Sequence, residues 1–228
     1  MKLESKFAIF NYQDRDKELI KEVATYLDDN VDKIFNFFEV EILKEKITIN
    51  IIPTKKEFDE IYKYTWNCDA ENWSIGFYSS KTKQITYLSI NDYKNTSHAF
   101  EKNDYSIAKE YYKKTILHEF VHYVNDLFKI KHNCGYTEKY LSEGLATYLS
   151  KQKSDKKINF NYSMDQILNS KGCYDGWYLI TKYLIENYDK QFIFSLIESN
   201  RKAREFLQNE LYNKASEYYK VEISKRSE

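Results

Sequence analysis

Ile116-Leu117-His118-Glu119-Phe120-Val121-His122-Tyr123-Val124-Asn125-Asp126-Leu127-Phe128 is the stretch on which the reading of this chain turns. With Ile107 and Ala108 upstream it supplies a wide apolar surface, as a buried central helix needs, and the pattern predicts a helix over about 105–130. On a helix, residues four apart lie about 40° apart around the axis and one turn along it, so His118 and His122 project from one face. Two imidazoles so spaced can each give a nitrogen to one zinc ion at about 2.0–2.1 Å. Glu119 points roughly 100° away from His118. It can flank such an ion without ligating it, placed to take a proton from water. A shuffled chain of this composition would contain H-E-x-x-H with probability of order 0.005.

A third ligand lies downstream. A continuation with glycine three and histidine six residues after His122 is excluded, because those positions hold Asn125 and Phe128. The better candidate is Glu143, in Leu141-Ser142-Glu143-Gly144-Leu145-Ala146-Thr147-Tyr148. Gly135 offers an end for the first helix, and Thr137 can cap a second, expected over about 137–152. Two consecutive antiparallel helices would return the carboxylate to the histidines, with Gly144 allowing their close approach. Asn125 and Asp126 could orient a ligand from behind, although solvated helix-surface positions are the blander reading. His98, His132 and Cys134 are weaker metal candidates. Lys151, Lys153, Lys156 and Lys157, interrupted by Asp155, read as a solvated loop.

His118-Glu119-Phe120-Val121-His122 followed by Ser142-Glu143-Gly144-Leu145-Ala146-Thr147-Tyr148 resembles the gluzincin zinc metallopeptidases of the thermolysin and aminopeptidase superfamily, with their HExxH…EGxA pattern. It is especially similar to the collagenase-like and peptidase-MA-like branch. The resemblance implies one zinc ion held by His118, His122 and Glu143, with Glu119 as general base and a peptide or protein as substrate. It extends loosely to Tyr174-Asp175-Gly176-Trp177-Tyr178-Leu179-Ile180, which is similar to the family helix whose tyrosine stabilises the oxyanion. Tyr174 is the expected residue for that role, with Tyr178 as alternative and plain packing as the competing reading.

Around this centre the rest of the chain reads as α+β rather than as alternating βα units. Leu19, Val23, Leu27, Val31, Ile34 and Phe38 mark an amphipathic helix within 16–42. Residues 46–53 are β-branched and end at the only proline, as a short strand would. Thr54, with Glu57 three residues on, starts a helix through about Trp66. Residues 73–78 and 84–90 read as a hairpin around Ser79-Ser80-Lys81-Thr82-Lys83, and 84–90 is a candidate edge strand for pairing with an extended peptide. Further helices are expected at about 163–170, 174–188, 190–199 and 201–220. The expected organisation is one catalytic domain over 1–228, thermolysin-like and two-lobed. A small sheet with helices, including the HExxH helix, spans approximately 1–131, and a helical lobe with the third ligand spans 132–228.

Composition narrows the classes. The chain has 228 residues, with 35 Lys+Arg balanced by 35 Asp+Glu, which argues against a dedicated nucleic-acid binder. The longest uncharged run, Asn72 to Ser80, is far short of the roughly 20 residues of a membrane-spanning helix. Only 5 glycines and 1 proline among 22 tyrosines and 14 phenylalanines indicate a helix-rich, aromatic-packed chain. Three cysteines without a CxxC pair make a disulfide framework improbable. The odd cysteine count and the absence of an apolar leader in the first residues make cytoplasmic the expected compartment, while the resemblance, to families that are often exported, points to export as the alternative. The alternatives to a general peptidase are a metal-dependent protease acting on a single partner and a non-catalytic binding module on the same fold.

Overall fold

The first eleven residues, which carry no periodicity long enough to assign from sequence, form two strands. Lys2–Glu4 (β1) and Ala8–Asn11 (β2) pair antiparallel and open a five-stranded sheet. The structure, a computed structural model, describes residues 1–42, 44–96, 105–153 and 159–226. By internal packing the chain divides into two compact units, Met1–Asp126 and Leu127–Glu228.

In the first unit, β2 leads through helix α1 (Lys17–Phe38) to β3 (Ile47–Ile52), which continues through helix α2 (Lys55–Trp66) to the hairpin β4 (Gly76–Ser79) and β5 (Gln84–Leu88). The strand order is β1-β2-β3-β5-β4, with β2, β3 and β5 mutually parallel and β1 and β4 antiparallel at the two edges. Parallel neighbours need a crossover, and α1 and α2 supply them. The fold is therefore a mixed α/β one, with βα crossovers in its first unit that the order read from sequence lacked. β5 is also not the edge strand expected; its residues Ile85 to Leu88 are buried between β3 and β4, and β4 is the edge.

The core of this unit follows from the sequence pattern. Leu19, Ile20, Val23, Leu27, Val31, Ile34, Phe35 and Phe38 bury one stripe of α1, each side chain contributing about 1.5–3 kcal/mol of transfer free energy. Phe35 meets Phe7 ahead of β2 and Phe120 on helix α3 (Tyr105–Lys131). Thr54 caps α2 as expected, accepting from the Glu57 N–H. Phe58, Tyr62 and Trp66, one turn apart on α2, surround Phe77 of β4. Tyr87 of β5 lies on the opposite face and is hydrogen-bonded to Thr115 of α3. Across the ladder from Tyr87 stands Gly76, where a Cβ would meet the tyrosine ring at 2.2 Å. A glycine is required there by the close approach of a ring.

The second unit is helical: α4 (Lys139–Leu149), α5 (Met164–Asn169), α6 (Tyr174–Asn187), α7 (Lys190–Glu198), α8 (Asn200–Phe206) and α9 (Tyr212–Arg226). One helix was expected over 201–220; the chain instead forms α8 and α9 joined through a π-helical turn at Leu207–Leu211. Gly144 serves a different neighbour from the one expected. A Cβ there would lie 2.7 Å from the Trp177 carbonyl oxygen and 1.9 Å from Thr181 Oγ1, so it is α6 that approaches α4. Two boundary details also differ. The left-handed residue that ends α3 is Asn133 (φ 51°), with the Cys134 N–H reaching back to the Lys129 carbonyl, rather than Gly135. The residue preceding α4 is Glu138, not Thr137. Among the described residues no helix is long and apolar enough to cross a membrane.

Candidate metal site

On α3, Phe120, Val121 and Val124 turn into the core, which fixes the rotation of the helix and leaves His118, Glu119 and His122 on adjoining stripes. His118 is buried and His122 half-buried. Their rings meet at 76° with centroids 4.8 Å apart, and the two Nε2 atoms converge to 3.1 Å. Two nitrogens bound to one tetrahedral ion at about 2.05 Å would stand roughly 3.3 Å apart, so the pair has the separation a zinc ion demands. Glu143, half-buried in the second turn of α4, offers a third possible donor. The ligand atoms of His118, His122 and Glu143 all lie within 4.8 Å of one another. Two imidazoles and one carboxylate match a catalytic zinc set, three protein ligands with a position left for water or substrate. Among the described residues no other group of three potential ligands is gathered in this way.

Glu119 is half-buried beside the pair, and its Oε2 accepts a hydrogen bond from the backbone N–H of Tyr78 on β4 at 2.9 Å. The hydroxyl of the same tyrosine donates to Asp126 Oδ2, also at 2.9 Å. Burial first, and then the Asp126 carboxylate, hold the Tyr78 hydroxyl well above the usual tyrosine range, so it stays a donor at any ordinary pH. Neither Asn125 nor Asp126 is the solvated surface residue that the blander reading made it. Asn125 is buried, and Asp126 is half-buried against Tyr78.

No family model matches the chain, no curated protein matches it, and no solved structure matches it.

The remaining candidates fall elsewhere. Tyr174 is the first residue of α6, half-buried, with its ring edge-to-face on Trp177 at 5.2 Å. Tyr178 is buried, its ring 6.2 Å from that of Tyr148. His132 stacks on Phe128 and pairs with Glu198 at 2.9 Å. Cys134 donates to the His132 carbonyl, and all three cysteines are free thiols. His98, Asp155, Lys156 and Lys157 lie outside the described residues. Lys151 is exposed, and Lys153 pairs with Asp175 at 2.9 Å. The residue that sequence reasoning missed is Tyr78. Its link to Glu119 runs through a backbone amide, which no side-chain pattern reveals.

Proposed function

We propose that this chain is a zinc-dependent peptidase of the gluzincin type, thermolysin-like in its two-lobed arrangement, acting on a peptide or protein substrate. The observation that carries this reading is the His118, His122 and Glu143 donor set within 4.8 Å, with Glu119 beside it on the next stripe of α3. His118, His122 and Glu143 would hold the ion. Zinc, when bound in such a set, lowers the pKa of water and polarises a carbonyl oxygen. Glu119 takes the proton from the water that attacks the scissile carbonyl and returns it to the departing amine. Its hydrogen bond from the Tyr78 amide orients the carboxylate for that exchange. Tyr174, or Tyr178 in its place, is the proposed donor to the developing oxyanion.

Elemental analysis of the purified chain and a peptide-library assay test this together. The expected result is about one zinc per chain, lost in His118→Ala and in Glu143→Ala. Glu119→Gln should keep the zinc and lose cleavage by about 100-fold or more. A chain that neither carries zinc nor takes it up would overturn the reading. So would a Glu119→Gln variant that cleaves as well as the parent.

A further inference from the structure

Glu119, Tyr123 and Asp126 are spaced four and three apart on α3, so they form one stripe along two turns of the helix. The distance along the axis from Glu119 to Asp126 is about 10.5 Å. One residue of the edge strand spans it. The Tyr78 N–H sits on the Glu119 carboxylate, its ring packs on the Tyr123 ring with centroids 5.8 Å apart, and its hydroxyl sits on the Asp126 carboxylate. The stripe beside it carries His118, His122 and Asn125. β4 gives no ladder bond through this amide, because the N–H points away from β5 and toward the helix.

We propose that Tyr78 is a positioning residue for Glu119: anchored at its hydroxyl by Asp126, it holds the strand amide that fixes the orientation of the carboxylate. A half-buried glutamate has three side-chain torsions, and a backbone donor helps to orient it only if that donor is itself immobile. An edge strand four residues long is held by β5 on one side alone. The hydroxyl bond to Asp126 and the ring contact with Tyr123 immobilise it on the other. Because Asp126 stands on the same helix as Glu119, the strand is referenced to the helix it serves. The role as stated rests on the reading of Glu119 as general base.

The test uses the full chain and two readouts. In isotope-labelled protein, the amide proton at position 78 should resonate downfield, as a donor to a carboxylate does. It should move upfield in Glu119→Ala, and in the same direction by less in Tyr78→Phe and in Asp126→Ala. In peptide turnover, Tyr78→Phe and Asp126→Ala should each lower kcat about tenfold, with KM and zinc content unchanged. The double variant should be no worse than the weaker single one, and Asp126→Asn, which keeps an acceptor, should recover most of the loss. Three results overturn the proposal: an amide that Glu119→Ala does not move, a Tyr78→Phe enzyme with the parental kcat, or a loss confined to KM or zinc content. If the parent cleaves no peptide at all, the peptidase reading fails. The amide shifts then still decide whether Tyr78 holds Glu119.

Discussion

Gly144 illustrates how much a single position can decide. It adjoins Glu143 on α4, and α6 lies so close that a methyl group there would sit 2.7 Å from the Trp177 carbonyl oxygen. Thr181 can rotate its hydroxyl aside, but the backbone carbonyl of a helix cannot retreat without moving the helix. Alanine would add up to about 1 kcal/mol of helix propensity. The overlap costs about 1–3 kcal/mol and wins. Gly144→Ala should therefore lower the urea midpoint at unchanged slope and weaken zinc uptake, since Glu143 moves with the helix. An unchanged midpoint would mean that α4 and α6 separate freely. At this scale the sequence was partly legible. The histidine spacing needs only helix geometry to be read. That Gly144 admits close packing was also visible, but its partner was not, because nothing local distinguishes α3 from α6 as the neighbour. Tyr78 was invisible, one tyrosine among 22 acting through its backbone.

Among the elements, β5, the turn that follows it and α3 share a buried layer of tyrosines. The Tyr93 hydroxyl donates to the Tyr87 hydroxyl at 3.0 Å, Tyr87 is bonded to Thr115, and the Tyr112 ring packs edge-on to Tyr87 at 4.9 Å. Burial is the leading cause that raises all three hydroxyls well above their ordinary value of 10.0. The sign follows. Below pH 10 these tyrosines are protonated in both the folded and unfolded chain, and their contribution is complete. Above it the unfolded chain releases protons that the folded one retains, so stability falls by up to about 1.4 kcal/mol per pH unit for each group. Unfolding should therefore steepen above pH 10, and tyrosinate absorbance should rise together with loss of helical circular dichroism. Tyrosinate signal from the whole set in a still-folded chain would contradict it. The same layer shows why some elements were readable and others not. α1 and α2 announce themselves through long apolar periodicity and a capping threonine. β1 and β2 are three and four residues long, within a charged stretch, and become strands only because β3 lies beside β2. The burial of β5 likewise depends on β3, a long-range partner that its own alternation does not specify.

For the molecule as a whole, the proposed donor set would tie stability to an ion. His118 and His122 stand on α3 and Glu143 on α4, 21 residues later in the chain, so the three donors converge only when the chain is folded. An ion that binds the folded state and not the unfolded one adds RT ln(1 + [L]/Kd), about 2.7 kcal/mol at a hundredfold excess over Kd. Zinc should accordingly raise the melting temperature of chelator-treated protein in a concentration-dependent way, and the chelator should reverse it. The variants assign the effect. His118→Ala and Glu143→Ala should abolish it, because either loss leaves two ligands. Glu119→Gln should keep it, because Glu119 is assigned a proton and not the ion. His132→Ala should keep it too, since that ring pairs with Glu198 away from the donor set. Zinc stabilisation that survives in Glu143→Ala would reduce the site to the histidine pair. The assignment of Glu143, and with it the catalytic donor set, would then fail even if the protein binds zinc.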